Sequence, residues 1–294
     1  RELIAVYLRT SRGLQCAAEQ IVITSGAQQA ISLCAQLLLE PGDAVAIENP
    51  GYRAAGHAFA VAGARLQGMA VDEEGMRVAA VAQSDCKLAY VTPSHQYPMG
   101  VVMSLARRLE LLAWAQKTQG WIVEDDYDGE YRYSGAPLAP LAALDRAGRV
   151  LYVGTFGKIA YPGLRLGYLV LPVELVEPFS QRRAVDMRHS EISAQAVMAE
   201  FIAAGHFQRH IRRMRRAALN RRNALLANWP DDIRGCSAMP KVFAGLHVAV
   251  KVDSVAREKE LVDKAASVGV EIAPLSSYWL PESSEPVDKR AGLV

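Results

Sequence analysis

The first half of the chain alternates short strand-like and longer helix-like segments, which leaves few architectures besides a layered α/β sheet. Ile21-Val22-Ile23 reads as a strand. From Ala27 the apolar positions Ala27, Ala30, Ile31, Cys34, Leu37 and Leu38 follow helical spacing, and Pro41-Gly42 ends the run. Ala44 to Ile47 is a strand closed by Asn49-Pro50-Gly51. Lys87 to Val91 is another, running into a turn-rich loop from Thr92 to Gly100. Leu105 to Gln116 reads as a helix and Trp121-Ile122-Val123 as a buried strand entering Glu124-Asp125-Asp126. Val150 to Val153 and Leu166 to Val170 read as two more strands. After Pro172 the texture changes. Long helical patterns run to about Trp229, followed by a strand-like Gly245 to Val252, a helix from Val255 to Ser267, and Val270-Glu271-Ile272.

A chain of 294 residues that is 51% hydrophobic can bury more than one small core. The expected division is a large domain over residues 1–172, opening helix included, and connecting helices with a small, truncated domain over 173–294. Both ends read as cuts in a longer protein: Arg1 leads straight into a helical pattern, and Ala291 to Val294 looks like an interrupted strand. A net charge of +2 argues for neither a nucleic-acid nor a membrane surface. No apolar run approaches the ~18–20 residues of a membrane span, and no secretory leader is recognisable. Cys16, Cys34, Cys86 and Cys236 have no paired spacing and read as free thiols in a reducing, cytoplasmic compartment.

Four features fall at or just after the carboxyl ends of predicted strands, where open α/β sheets bind ligands. Thr24-Ser25-Gly26-Ala27-Gln28 joins a strand to a helix, and its backbone N–H groups with Ser25 and Gln28 suit an anion; an ordinary serine cap would look the same. Glu48-Asn49-Pro50-Gly51-Tyr52 offers an aromatic ring after a tight turn, for stacking on a planar ligand or only on its neighbours. Val123-Glu124-Asp125-Asp126-Tyr127-Asp128 puts carboxylates after a buried strand, which is costly unless they are paired or used; the alternative is a solvated acidic turn. Gly154-Thr155-Phe156-Gly157-Lys158 places an amine in a glycine-rich, apolar setting that favours its nucleophilic form, with Arg165 seven residues on to grip a phosphate. The set suits pyridoxal 5′-phosphate (PLP): Asp125 against the pyridine nitrogen, Tyr127 near the ring hydroxyl, Thr155 and Arg165 on the phosphate.

This order of motifs resembles the fold type I PLP proteins, and within them the MocR branch of the GntR transcription regulators. The resemblance is carried by LIAVYLRTSRG, IVITSGAQQA, ENPGY, TPSHQYPMG, VEDDYDGEYRY, GTFGKIAYPGLRLGYL and GHFQRHIRRMRR, in the family's order along nearly the whole chain. It implies an aspartate-aminotransferase-like fold: a large three-layer α/β/α domain around a mixed, mostly parallel sheet, then a small C-terminal α/β domain. It also implies an internal aldimine between PLP and Lys158, with Ser25, Gly26, Ala27, Gln28, Tyr52, His95, Asp125, Tyr127, Thr155 and Arg165 as cofactor contacts. A homodimer is implied too, with DNA contacted only through a winged helix-turn-helix absent from this chain.

The sequence departs from the aminotransferase pattern in places. Tyr97 precedes Pro98-Met99-Gly100 where aminotransferases carry an asparagine, and Gly157 stands before the lysine where MocR proteins commonly have serine. No clear arginine for a substrate carboxylate is found; Arg53 and Arg290 are the candidates. Seven arginines between Arg209 and Arg222 read as a solvated helix at the domain junction, although a DNA-backbone contact is conceivable. His95 either touches the cofactor or orders its loop. His206 and His210 lack partners at metal spacing, so no metal site is expected. Two functions follow: a domain sensing PLP or a small amino compound as effector within a regulator, or a stand-alone aminotransferase acting on an amino acid.

Overall fold

The computed structural model describes residues 1–135, 139–188, 191–230 and 232–294. Its centre is an eight-stranded sheet in the order β1 (Ile21–Thr24), β8 (Gly167–Val170), β7 (Val150–Thr155), β6 (Trp121–Asp126), β5 (Cys86–Val91), β2 (Ala44–Asn49), β3 (Arg65–Asp72), β4 (Gly75–Met76). Strands β3, β2, β5, β6 and β7 are parallel, while β8 runs antiparallel to both β7 and β1. The central strands are buried along most of their length, which explains their continuous apolar runs.

Helices α2 (Ala27–Leu38), α3 (Arg53–Val61) and α7 (Val176–Met187) are associated with a core of Ile31, Leu33, Val45, Phe59, Tyr90, Val123 and Phe179. On the other side, α4 (Val78–Ala82), α5 (Leu105–Thr118) and α6 (Leu141–Leu144) are associated with Met76, Leu111, Trp114 and Ile122. Helices α1 (Glu2–Arg12), α8 (Ile192–Ala203) and α9 (His206–Asn228) share a third cluster, with Leu8, Met198, Phe207 and Ile211 beside Tyr152 and Tyr168. Helices α7, α8 and α9 therefore bury Phe179, Met198, Phe207 and Ile211 in cores built largely by the first half of the chain.

The C-terminal part holds α10 (Val255–Ser267) and a small antiparallel pair, β9 (Val250–Lys251) with β10 (Gly292–Leu293). The long strand expected at Gly245 to Val252 is reduced to Val250–Lys251. Gly245 adopts φ 87° and its N–H donates to the Tyr131 carbonyl (2.7 Å), so this stretch docks on the 128–133 turn instead of extending a sheet. Val270-Glu271-Ile272 forms no strand.

Candidate functional site

Because β1, β2, β5, β6 and β7 point the same way, their carboxyl ends share one edge of the sheet. Thr24 at the end of β1 and Thr155 at the end of β7 both pair with Gly167, which opens β8, so the residues just before β8 arrive at that edge too.

The first turn of α2 is one wall. Gly26 caps the helix with φ 85° and contributes no side-chain bond, which leaves the N–H groups of the helix start without a side-chain partner. The Arg165 guanidinium lies 3.9 Å from where a Gly26 Cβ would stand, and it has no hydrogen-bond or ion-pair partner among the described residues. Gly167 makes the close approach possible, since a Cβ there would sit 2.7 Å from the Gly26 carbonyl carbon and 2.9 Å from its Cα. Backbone atoms cannot yield as a side-chain tip does. Gly167→Ala is expected to cost ~1–3 kcal/mol of stability, as overpacked sites do. It should also weaken anion binding at the α2 start; urea denaturation and a phosphate-ester titration measure the two effects.

Gly26, Ala27, Gln28, Tyr52, Asp125, Tyr127, Thr155, Lys158 and Arg165 line one cavity of about 310 Å³. That size is adequate for a small cofactor. Asp125 is 4% exposed at the end of β6. Its Oδ2 accepts from the Tyr90 hydroxyl (2.7 Å), while Oδ1 is buried with no hydrogen-bond partner among the described residues. Burial pushes this carboxyl up to about 7; the Tyr90 hydrogen bond and the Lys158 charge oppose the shift, and the Asp126 and Asp128 charges add to it. The neighbouring acids are held by other groups, although Asp126 Oδ1, like Asp125 Oδ1, has no hydrogen-bond partner among the described residues. Glu124 accepts from the Leu141 and Ala142 N–H groups (2.9 Å each), and Asp126 accepts from Tyr152 (2.6 Å) and pairs with Arg12 (2.8 Å).

Two more walls are aromatic. The Tyr52 hydroxyl reaches Gln28 Oε1 at 3.4 Å, and Tyr97 meets both Tyr52 and Tyr127 edge-on with ring centroids 5.9 Å apart. Tyr127 donates its hydroxyl proton to the His95 carbonyl (2.9 Å), so towards other groups its oxygen serves as an acceptor.

Four sequence candidates lie outside the cavity lining. Ser25 donates its N–H to Gln29 Oε1 (2.7 Å), and its hydroxyl is 3.9 Å from the Met187 sulfur. Arg53 donates to the Ser277 carbonyl (2.9 Å), and Arg290 to the Ser283 and Glu285 carbonyls (2.6 and 2.8 Å). His95 sits behind Tyr127, with Nδ1 2.9 Å from Asp128 Oδ2. Sequence reasoning did not single out Tyr90, Thr92 or Glu48. Glu48 is buried beneath the loop, where its Oε2 accepts from the Thr92 N–H and hydroxyl and from Gln96, and burial pushes it up to about 7. The available signal was an acid ending an otherwise apolar strand.

His95, Asp128 and His247 bring one potential metal-ligand atom each within 4.8 Å of one another, the single such group found among the described residues. The His95–Asp128 spacing is that of a hydrogen bond. Burial and the adjacent His95 push His247 down to about 3, which keeps it neutral. The cavity's own groups fit a phosphorylated pyridine aldehyde: a buried carboxyl oxygen, unsatisfied among the described residues, to accept from a protonated ring nitrogen, a guanidinium without a partner among them at a helix start for a phosphate, and a primary amine for the aldehyde.

The fold is that of the aminotransferases of fold type I. The chain superposes on Pyrococcus horikoshii kynurenine aminotransferase, a structure with PMP and kynurenine, with a TM-score of 0.87 and 30% identity over 100% of this chain and 74% of that one. A family model, aminotransferase class I and II, matches residues 1–283, and the chain belongs to that family. PLP is the cofactor this membership implies. At 36% identity over 94% of its length the chain is similar to the probable rhizopine catabolism regulatory protein MocR of Rhizobium meliloti, of which it spans 56%. The resemblance to MocR-type regulators is thereby borne out. At 30% identity over 95% of its length it is also similar to aromatic-amino-acid aminotransferase 1 of Thermococcus litoralis, of which it spans 69%. No helix among the described residues is long and apolar enough to cross a membrane.

Proposed function

We propose that this chain is the PLP-binding, effector-sensing and dimerisation part of a MocR-type transcription regulator, with the cofactor attached through the Lys158 amine. The observation that carries the reading is the unpartnered Asp125 Oδ1, buried in a cavity that also holds Lys158, Arg165 and an uncapped helix start. When bound, PLP supplies an electrophilic aldehyde and an electron-accepting ring. Asp125 would hold a proton at the ring nitrogen. Arg165, Thr155 and the α2 N–H groups would hold the phosphate, Tyr52 would contact the ring, and the Tyr127 oxygen would accept from the ring's hydroxyl. Lys158 would provide the attaching amine and, as a free amine, would hold or move a proton at Nζ. The regulator reading rests on 36% identity to a regulatory protein across nearly the whole chain. In such a protein two copies associate, and DNA is met by a helix-turn-helix outside these residues. The effector works by binding two arrangements of the protein unequally.

The similarity to an aromatic-amino-acid aminotransferase favours a second reading, a transaminase that uses the same lysine. A panel of amino acids added to the PLP-loaded chain separates them. The regulator reading expects spectral change on binding without sustained turnover; steady transamination would replace it with the enzyme reading. The phosphate seat has its own test. Arg165→Ala should weaken PLP ~10–100-fold, the worth of a charge-assisted hydrogen bond, and leave pyridoxal, which lacks the phosphate, nearly unaffected. Equal losses for both ligands would place Arg165 elsewhere in the site.

A further inference from the structure

Behind the cavity wall, the Tyr127 hydroxyl gives its proton to the His95 carbonyl (2.9 Å), while His95 Nδ1 lies 3.0 Å from the Tyr127 oxygen and 2.9 Å from Asp128 Oδ2. The Tyr127 proton is committed and a carboxylate only accepts, so Nδ1 must carry the hydrogen and share it between the two oxygens. The same Asp128 Oδ2 accepts the Leu246 N–H (3.2 Å), which belongs to the C-terminal part of the chain. Gly245 lies against the imidazole so closely that a Cβ there would stand 1.7 Å from His95 Cε1. The His247 ring packs on the other rings of the wall, 4.5 Å from His95 and 5.0 Å from Tyr97 between centroids. Its Nε2 is buried without a hydrogen-bond partner among the described residues. Thus the His95 Nδ1–H and the Leu246 N–H, meeting on one Asp128 oxygen, join a residue lining the cavity to the segment 243–247.

We propose that His95 is a positioning residue whose Nδ1–H couples the cofactor-side Tyr127, through Asp128, to residues 243–247, so that filling the cavity steadies that segment. The inference rests on the cofactor reading above and adds a route by which occupancy reaches the C-terminal part. Two isolated functions of the ring can be told apart. If its hydrogen bond matters, His95→Asn, which keeps an N–H donor near the Nδ1 position, preserves the coupling, and His95→Phe, which keeps the ring volume, loses it. If only packing matters, the order reverses.

The test is hydrogen exchange of the backbone amides of residues 245–248 in the chain with and without PLP, after uptake has been verified by absorbance. In the unaltered protein PLP should slow exchange there at least ~5-fold, the low end of ordinary coupling between sites. His95→Asn should retain most of that slowing and His95→Phe should abolish it while still taking up PLP. Gly245→Ala, which pushes on the imidazole from the other side, should act like His95→Phe. PLP uptake with unchanged exchange in the unaltered protein would overturn the proposal and leave the cofactor reading intact, as would slowing that survives in His95→Phe. Failure of the unaltered chain to take up PLP at all would remove both.

Discussion

Lys158→Ala will abolish the visible absorbance that PLP gives when bound covalently to this chain, and borohydride treatment will leave no cofactor mass on the peptide spanning residue 158. The expected effect is loss of the band rather than a weakening of it. No second lysine lines the cavity among the described residues. Non-covalent binding should survive in part, because Arg165, the α2 start and Asp125 are untouched. The protein should also stay folded: the Lys158 side chain has no hydrogen-bond or ion-pair partner among the described residues, and its main-chain carbonyl, which accepts from Tyr131 (3.0 Å), is unaffected by truncation. A Lys158→Ala protein that kept both the band and a reducible adduct would mean that the attaching amine had been misassigned.

The sequence announced the layered sheet clearly because its central strands are apolar on both faces and each ends in a turn rich in glycine, proline or acids. It hid β3, whose Arg65, Gln67 and Gly68 and largely unburied side chains, with only Met69 buried, give no clear period-2 pattern. It also hid α3, an alanine-rich helix interrupted by Gly56. At the site, strand geometry decided what composition left open. Glu124, Asp125 and Asp126 are adjacent in sequence, but side chains alternate along β6, which sends Glu124 and Asp126 to one face and Asp125 to the other. Only Asp125 then reaches the cavity. Ser25 illustrates the opposite outcome, a plausible anion ligand by type whose N–H caps onto Gln29 and whose hydroxyl turns towards Met187. Arg53 and Arg290 satisfy backbone carbonyls through contacts with residues more than two hundred positions away in one case and a local loop in the other. Neither relation has a sequence signature. His95 was recognisable as a residue of the loop, but its coupling to Gly245 and Leu246 arises from long-range packing that no local pattern records.

Asp125→Asn should have two effects of opposite sign, stabilising the cofactor-free chain at neutral pH while weakening PLP. The carboxyl titrates at about 7 in the folded chain, chiefly because burial disfavours its charge, and near 3.8 when free of that environment. Between those values the folded protein holds a proton that the unfolded chain has released, so stability falls as pH rises through that window and stays lowered above it. A shift of about three units corresponds to at most ~4 kcal/mol, since each unit is ~1.4 kcal/mol. Glu48 and Glu124, both also pushed up to about 7 by burial, steepen the same slope. Asparagine keeps an oxygen for the Tyr90 hydroxyl but cannot ionise. Denaturation without PLP should show the variant more stable than the parent at pH 8, by ~1–3 kcal/mol once relaxation of the site is allowed for. At pH 4 the difference should vanish. PLP affinity should fall ~10–100-fold, because the charged partner of the ring nitrogen is gone and its replacement cannot hold that nitrogen in the protonated form. A stability gain without loss of PLP would mean that Asp125 is only a strained buried acid. Loss of PLP without a gain would mean that its charge is already compensated in the empty cavity, and a variant unchanged in both respects would remove Asp125 from the site.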